Sequence, residues 1–306
     1  MLRLVKRVVP MPEPLDVGLT LGAATPGRPT TRTGATDWWH AMNTDDGAAT
    51  IHVHVDRRAA SVTVEAFGPG RAWVLEHAPA LLGCADETAS DFTPNDPLLR
   101  SLARECRGMR ITSLGHALDF TVRTIIEQRV TSLEARRSWR SLVWRFGEPA
   151  PGPVELRVPP SAALVAQIPD WEWRRIGIEG RRSATVRTFA REGARVERST
   201  REGVRRLDAR LRSIRGIGVW TAATVTHSVL GDVDAVPVGD WHLPGHVGYA
   251  LAGERDADDA RMLELLEPYR PHRARVWRLI VAGAPAPERR APRAEILGLL
   301  ALEARR

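Results

Sequence analysis

Apolar residues recur three and four positions apart from Pro97 onward, and Gly and Pro clusters divide the pattern into blocks. The spacing predicts helices over 97–107, 116–130, 133–146, 161–168, 181–198, 200–214, 219–230, 241–252, 257–268, 271–282 and 292–304. Upstream the period changes. Thr50–Val55 and Ser61–Ala66 alternate apolar and polar residues around the turn-like Asp56–Ala60, which predicts two strands. Arg71–Leu82 reads as a helix ended by Gly83, and Pro12–Thr36, rich in Gly, Pro and Thr, as loop. The pattern divides the chain into a small α+β domain over 1–96 and an all-α region over 97–306, a mostly α fold.

A chain of 306 residues can bury a sizeable core in two or three subdomains. Hydrophobic content of 43% and mean hydropathy of −0.24 are those of a soluble protein. No apolar run approaches the ~20 residues of a bilayer span, and the first residues lack an apolar core of signal-peptide length. A cytoplasmic protein with no membrane partner is expected. Cys84 and Cys106 are the only cysteines, too few for a disulfide framework or for the four-thiolate ligation of an iron–sulfur cluster.

Charge changes the picture. Residues 1–105 hold 10 basic and 13 acidic side chains, so of the total of +7 the remainder carries +10. That basic remainder is suited to a polyanion, although an Arg-rich composition with many solvated guanidiniums would give the same count. Lys6 is the only lysine among the 44 basic residues.

The densest chemistry lies in residues 211–241. Arg215-Gly216-Ile217-Gly218 puts two glycines between helices, where the backbone must turn sharply and approach a partner closely. Val219 then opens a helix whose N–H groups suit a phosphate. Asp240 follows a Pro-Val-Gly turn about twenty residues later, within reach of a sugar attached to that phosphate. On position alone Asp240 also suits a helix N-cap, and the two roles are compatible.

This segment resembles the helix-hairpin-helix/Gly-Pro-Asp superfamily of DNA glycosylases, most closely its 3-methyladenine (alkylpurine) branch. Ile214–Ala222 is similar to the hairpin Leu-Pro-Gly-Ile-Gly-x-Trp-Thr-Ala, with Arg215 in place of the proline. Asp240 matches the Asp that ends the Pro-x-Gly-Asp element. Ile125–Val130 resembles the Ile-Leu-x-Gln-x-Val helix and Arg270-Pro271-His272-Arg273 the Arg-Pro-x-Arg of a late helix. The likeness covers about residues 97–283. It implies an N-terminal antiparallel sheet, two helical subdomains with the active site in the cleft between them, duplex DNA carrying damaged bases as partner, and a monomer acting in base excision repair. It also implies a monovalent cation, Na+ or K+, on the hairpin carbonyls of Arg215 and Ile217, and no other cofactor.

The resemblance assigns roles residue by residue. Asp240 is the catalytic carboxylate: breaking an N-glycosidic bond builds positive charge on the sugar, and a carboxylate beside C1′ stabilises it and orients water. A lysine stands at the Trp220 position in the lyase branch; Trp is what the alkylpurine branch has there, and its face suits a cationic base. With no lysine beyond residue 6, the amine that a lyase needs is missing. Trp241 and His272 are further base-pocket candidates, and Thr224 replaces an aromatic one turn after Trp220. Gln128 and Arg129 match the place of the wedge that fills the gap left by a flipped base. Arg181 and Arg182 match a phosphate-contacting turn. His52 and His54 alternate on one strand, but no further donor has clear metal-ligand spacing. Two alternatives remain: a non-catalytic hairpin protein that only clamps DNA, and a glycosylase for uracil or oxidised purines.

Overall fold

The computed structural model describes residues 5–11, 15–22, 25, 27 and 29–287. The helix predicted over 292–304 lies outside the described residues. The N-terminal layer is a five-stranded antiparallel sheet of β1 (Val5–Pro10), β2 (Thr31–Thr33), β3 (Asp37–Thr44), β4 (Gly47–Asp56) and β5 (Ser61–Phe67), ordered β1-β5-β4-β3-β2. The two strands predicted by alternation lie inside β4 and β5, with Val53 opposite Val64 and Val55 opposite Val62. These valines face α1 (Arg71–Leu81), which contributes Trp73, Val74, Ala78 and Leu81 to one core. The other three strands escape the alternation rule. β3 buries three neighbours in a row, Ala41 among them, so its polarity does not alternate. β2 is a three-residue edge within the segment read as loop, which also holds a short π-helical turn, Gly18–Gly22.

The helices follow the predicted order: α2 (Pro97–Glu105), α3 (Leu118–Glu127), α4 (Ser132–Phe146), α5 (Ala162–Gln167), α6 (Asp170–Arg175), α7 (Gly180–Arg191), α8 (Gly193–Arg201), α9 (Val204–Arg212), α10 (Val219–Leu230), α11 (Leu243–Ala252), α12 (Asp259–Leu266) and α13 (Arg273–Gly283). Capping explains several starts. Asp96 accepts from Leu99 N–H ahead of Pro97, and Thr131 with Glu134 forms a capping box on α4. Two differences stand out. The helix predicted over 181–198 breaks at Glu192 into α7 and α8, and the six-residue α6 was too short to show a period. The Pro-rich run after α4 forms a two-stranded ribbon of β6 (Glu148–Pro149) and β7 (Arg157–Val158).

Two helical cores follow the sheet. One joins α3 to α10 through residues such as Ile125, Leu142, Phe189, Leu207 and Val225. The other draws α2 back to α11–α13, with Leu99, Leu102, Val247, Met262, Val276 and Ile280 buried together. The chain passes from the first to the second through the loop after α10, and that loop carries Asp240.

A polar seam joins the sheet to the helices. Asn43 of β3 donates through N–H and Nδ2 to Asp119 of α3, at 2.8 Å each. The N-terminus of α3 is capped from a distance, because Glu197 of α8 accepts from Ala117 and Leu118 N–H at 3.0 Å. Burial pushes the Glu197 carboxyl up to about 7, with Asp45 and Asp119 adding to the rise against the N–H bonds of Ala117 and Leu118. Burial likewise raises Asp119 to about 6.

A carboxyl held above its unfolded value binds its proton more tightly in the folded chain. Its contribution to stability is therefore present below about pH 4.5 and lost as pH rises toward 7. Glu197→Gln keeps an acceptor for the α3 cap but no longer titrates. Denaturant unfolding at pH 5 and pH 8 should find this variant gaining on the wild type by roughly 1–3 kcal/mol across that interval. A difference that does not change with pH would mean that Glu197 ionises freely in the folded chain.

Candidate active site at the glycine hairpin

The hairpin stands on two buried residues, Ile214 and Ile217, with Ile217 N–H donating to Ile214 O at 3.0 Å. Its two glycines answer different needs. Gly216 has φ +96, and a Cβ there would lie 2.1 Å from Thr185 Oγ1 of α7. The fold itself demands this glycine. Gly218 has φ −101, open to any residue, and a Cβ on it would meet nothing within 4 Å. Nothing inside the protein requires Gly218 to be small, so a side chain there would extend into open space. Among the described residues no side chain caps α10, leaving its first N–H groups facing outward beside the exposed Arg215 and the 44%-exposed Val219.

Trp220, in the first turn of α10, donates its indole N–H to Asp240 Oδ2 at 3.0 Å. The other oxygen, Oδ1, accepts from His242 N–H at 2.8 Å and Leu243 N–H at 2.9 Å, so Asp240 also caps the start of α11. Serving those amides with Oδ1 leaves Oδ2 on the Trp220 indole. Gly239 at φ +94 turns the chain immediately before it, and its N–H donates to both carboxylate oxygens of Asp259, at 3.0 and 3.1 Å. Trp241, the next residue, is 84% exposed beside the carboxylate. Thr224 donates back to Trp220 O at 2.8 Å, which leaves only a methyl group one turn from the indole.

Other predicted residues meet different fates. Gln128 is an internal tie: its Nε2 donates to Gly216 O at 3.1 Å and Thr221 Oγ1 at 2.8 Å, fastening the end of α3 to the hairpin. A side chain so engaged is not a free wedge. Arg129 is exposed and holds φ +55, a left-handed conformation that costs a long side chain of order 1 kcal/mol. Arg181 is exposed on the same helix face as Thr185, toward the hairpin, whereas Arg182 is buried and donates to Ile126 O at 2.8 Å and Gly177 O at 3.3 Å. Arg182 is therefore a structural clasp on the end of α3 rather than a phosphate contact. His272 is buried against Phe92, accepts from Arg275 Nε at 3.2 Å, and is held below its usual range by burial and by Arg275. Its contacts lead through Arg275 to Asp86 and Thr88.

The metal-type groups are engaged elsewhere. His52 and His54 both hydrogen-bond Asp37 at 2.9 Å, and His52 also bonds Glu65. Asp45, His116 and Glu197 bring ligand-type atoms within 4.8 Å of one another, but Glu197 caps α3 and Asp45 pairs with Arg201 at 2.6 Å. Two supports of the site went unread in the sequence. Asp259 falls within the helix that the spacing predicts over 257–268, where nothing marks it apart from Asp258. Asp234 gathers Arg270 and Arg273 at 2.9 and 2.6 Å, and Trp277 donates to Ala235 O, clamping the loop before Asp240 onto α13. Only the Arg-Pro-His-Arg match hinted at the second.

No family model matches the sequence, and no curated protein matches it. Solved structures do. A 3-methyladenine DNA-glycosylase from Archaeoglobus fulgidus has TM-score 0.76 at 18% identity, covering 90% of this chain and 97% of that one. The 8-oxoguanine glycosylase/lyase of Clostridium acetobutylicum, solved with duplex DNA, has TM-score 0.69 at 11% identity, covering 92% and 96%. A 3-methyladenine DNA glycosylase of Schizosaccharomyces pombe, in complex with abasic DNA, has TM-score 0.50 at 18% identity, covering 61% and 91%. Among the described residues no helix is long and apolar enough to cross a membrane. With a five-stranded sheet, two helical cores, a glycine hairpin and an aspartate on the turn after the hairpin helix, the chain has the fold of these DNA glycosylases.

Proposed function

We propose that this protein is a monofunctional DNA glycosylase of base excision repair, hydrolysing the N-glycosidic bond of damaged purines, N3- and N7-alkylated ones foremost, in duplex DNA. The observation that carries this reading is Asp240: a carboxylate held by three N–H donors, one of them the indole of the hairpin helix. Its direction is fixed before substrate arrives, which is what electrostatic stabilisation of a sugar cation requires.

The sequence of events follows from that arrangement. A backbone phosphate sits on the N–H groups of Gly216, Gly218 and Val219, and the hairpin carbonyls of Arg215 and Ile217 would hold a monovalent cation that adds positive charge beside it. Arg181 and Arg215 add positive charge, and the strained Arg129 enters the stack where the base leaves. The extruded base lies on Trp220, whose face attracts an electron-poor ring by about 0.5–2 kcal/mol, with exposed Trp241 as a second wall. Alkylation at N3 or N7 makes the base cationic, so it departs without a general acid. Asp240 stabilises the sugar cation and orients the attacking water, leaving an abasic site. Lys6 lies on β1 of the N-terminal sheet, opposite Glu65, so no lysine accompanies the hairpin.

Asp240→Asn should slow excision at least ~100-fold, about 3 kcal/mol, while binding to abasic-site DNA persists. Single-turnover release of base from duplexes carrying alkylated purine, hypoxanthine, uracil or 8-oxoguanine measures this and ranks the lesions. Wild-type rates in the mutant would remove Asp240 from the chemistry, and no release from any duplex would favour a DNA clamp.

The hairpin gives a cleaner test than its first glycine allows. Gly216 substitutions collide with Thr185, but Gly218→Val has room inside the protein. That variant should keep its unfolding midpoint within a few degrees and bind every duplex more weakly, because phosphate contacts carry no base information. Unchanged duplex affinity would assign the hairpin another role.

Borohydride trapping tests the missing amine. The wild-type protein should release free base, leave an alkali-labile but unbroken strand, and form no substantial covalent adduct. Efficient trapping that disappears in Lys6→Ala would overturn the monofunctional reading.

A further inference from the structure

The α12 start carries two consecutive aspartates, Asp258 and Asp259, with different partners. Asp258 accepts from Arg261 N–H at 2.9 Å and caps the helix. Arg261 pairs in turn with Glu254 at 2.8 Å and Glu264 at 2.7 Å, tying α12 to the end of α11. Helix α12 is therefore capped and anchored without Asp259. The Asp259 carboxylate instead crosses to the turn Pro237–Asp240 and accepts the single N–H of Gly239 on both oxygens, at 3.0 and 3.1 Å.

Gly239 immediately precedes Asp240 in the turn. Its φ of +94 is reserved for glycine, and the position a Cβ would take lies 3.8 Å from Trp220 Cβ. A glycine in that region has many alternative conformations, and a charge-assisted bond on its N–H selects one. Within the turn, Val238 N–H donates to Val236 O at 2.9 Å and Asp240 N–H to Pro237 O at 3.2 Å, and neither holds the Gly239 amide. The path from Asp259 runs through the Gly239 amide to Asp240 and from there to the Trp220 indole.

We propose that Asp259 is a positioning residue for Asp240, fixing the Pro-Val-Gly-Asp turn so that the carboxylate stays on the Trp220 indole N–H. This inference rests on Asp240 being the catalytic carboxylate, and one of its two readouts does not depend on activity. The variants are Asp259→Ala, which removes the acceptor, and Asp259→Asn, which keeps one oxygen.

The first readout is the single-turnover excision rate set beside the dissociation constant for abasic-site duplex. Asp259→Ala should lose about 10–100-fold in rate, the scale of a misplacement near 1 Å, while affinity stays within about twofold. Asp259→Asn should fall between it and the wild type. The second readout is the amide spectrum, with the Trp220 indole N–H assigned through Trp220→Phe. In Asp259→Ala the Gly239 amide and the Trp220 indole resonance should shift and exchange faster with water, while the buried indole of Trp173, bonded to Ile168 O, should stay in place. If Asp259→Ala unfolds, the Asn variant carries both comparisons. Full excision rate with an unmoved Trp220 resonance would overturn the proposal. Should the wild type release none of the bases offered, the glycosylase reading falls, and the two resonances still decide whether Asp259 orients this turn.

Discussion

The hydrogen bond from the Trp220 indole to Asp240 Oδ2 is the constraint on which the rest of the site depends. It joins residues twenty positions apart whose neighbours belong to different cores. Helix α10 buries Ala222, Val225 and Val229 with α3 to α9, whereas Val236 and Leu243, on either side of Asp240, belong with α2 and α11–α13. The same helix turn that has no side-chain cap on its first N–H groups thereby fixes the direction of the Asp240 carboxylate. Under the proposed function, phosphate, sugar and base would all be referred to one rigid element, as catalysis by positioned charge requires.

Polar ties add to the apolar cores in holding the pieces in register. Gln128 fastens α3 to the hairpin, Arg182 closes the end of α3, Asp234 clamps the loop to α13 through two arginines, and Asp259 holds the turn. The Gln128, Arg182 and Asp259 ties each use a backbone donor or acceptor at a helix end or a turn, and the Asp234 clamp pairs side chains. This division of labour separates neighbours in sequence. Arg181 faces out while Arg182 is buried, and Arg129 is free and strained while Gln128 is engaged.

Much of this was legible because local rules govern it. The extent of α10, Val219–Leu230, follows from Gly218 and Gly231 and an unbroken apolar period. The doubled glycine with a downstream Pro-Val-Gly-Asp gave the hairpin and the carboxylate. What stayed hidden depends on contacts distant in sequence. The resemblance offered His272 for the base pocket, but its burial against Phe92 is a packing outcome that a motif does not carry. The exchange of the Gln128 side chain from wedge to tie needs the position of Gly216 O, 88 residues away. The reach of Asp259 back to Gly239 is likewise invisible to a reading that sees only a helix start. β3 was missed for a simpler reason: both of its faces are covered in part, which erases the period of two.

The most direct measurement of the central claim is a crystal structure of the protein bound to duplex DNA containing an abasic-site analogue. The account predicts the analogue's C1′ position beside the Asp240 carboxylate, a neighbouring phosphate within hydrogen-bond distance of the Gly218 and Val219 amides, and the vacated base space opening onto Trp220. A complex in which the analogue stays in the helical stack, or is turned away from Asp240 while the duplex still sits on the hairpin, would contradict it.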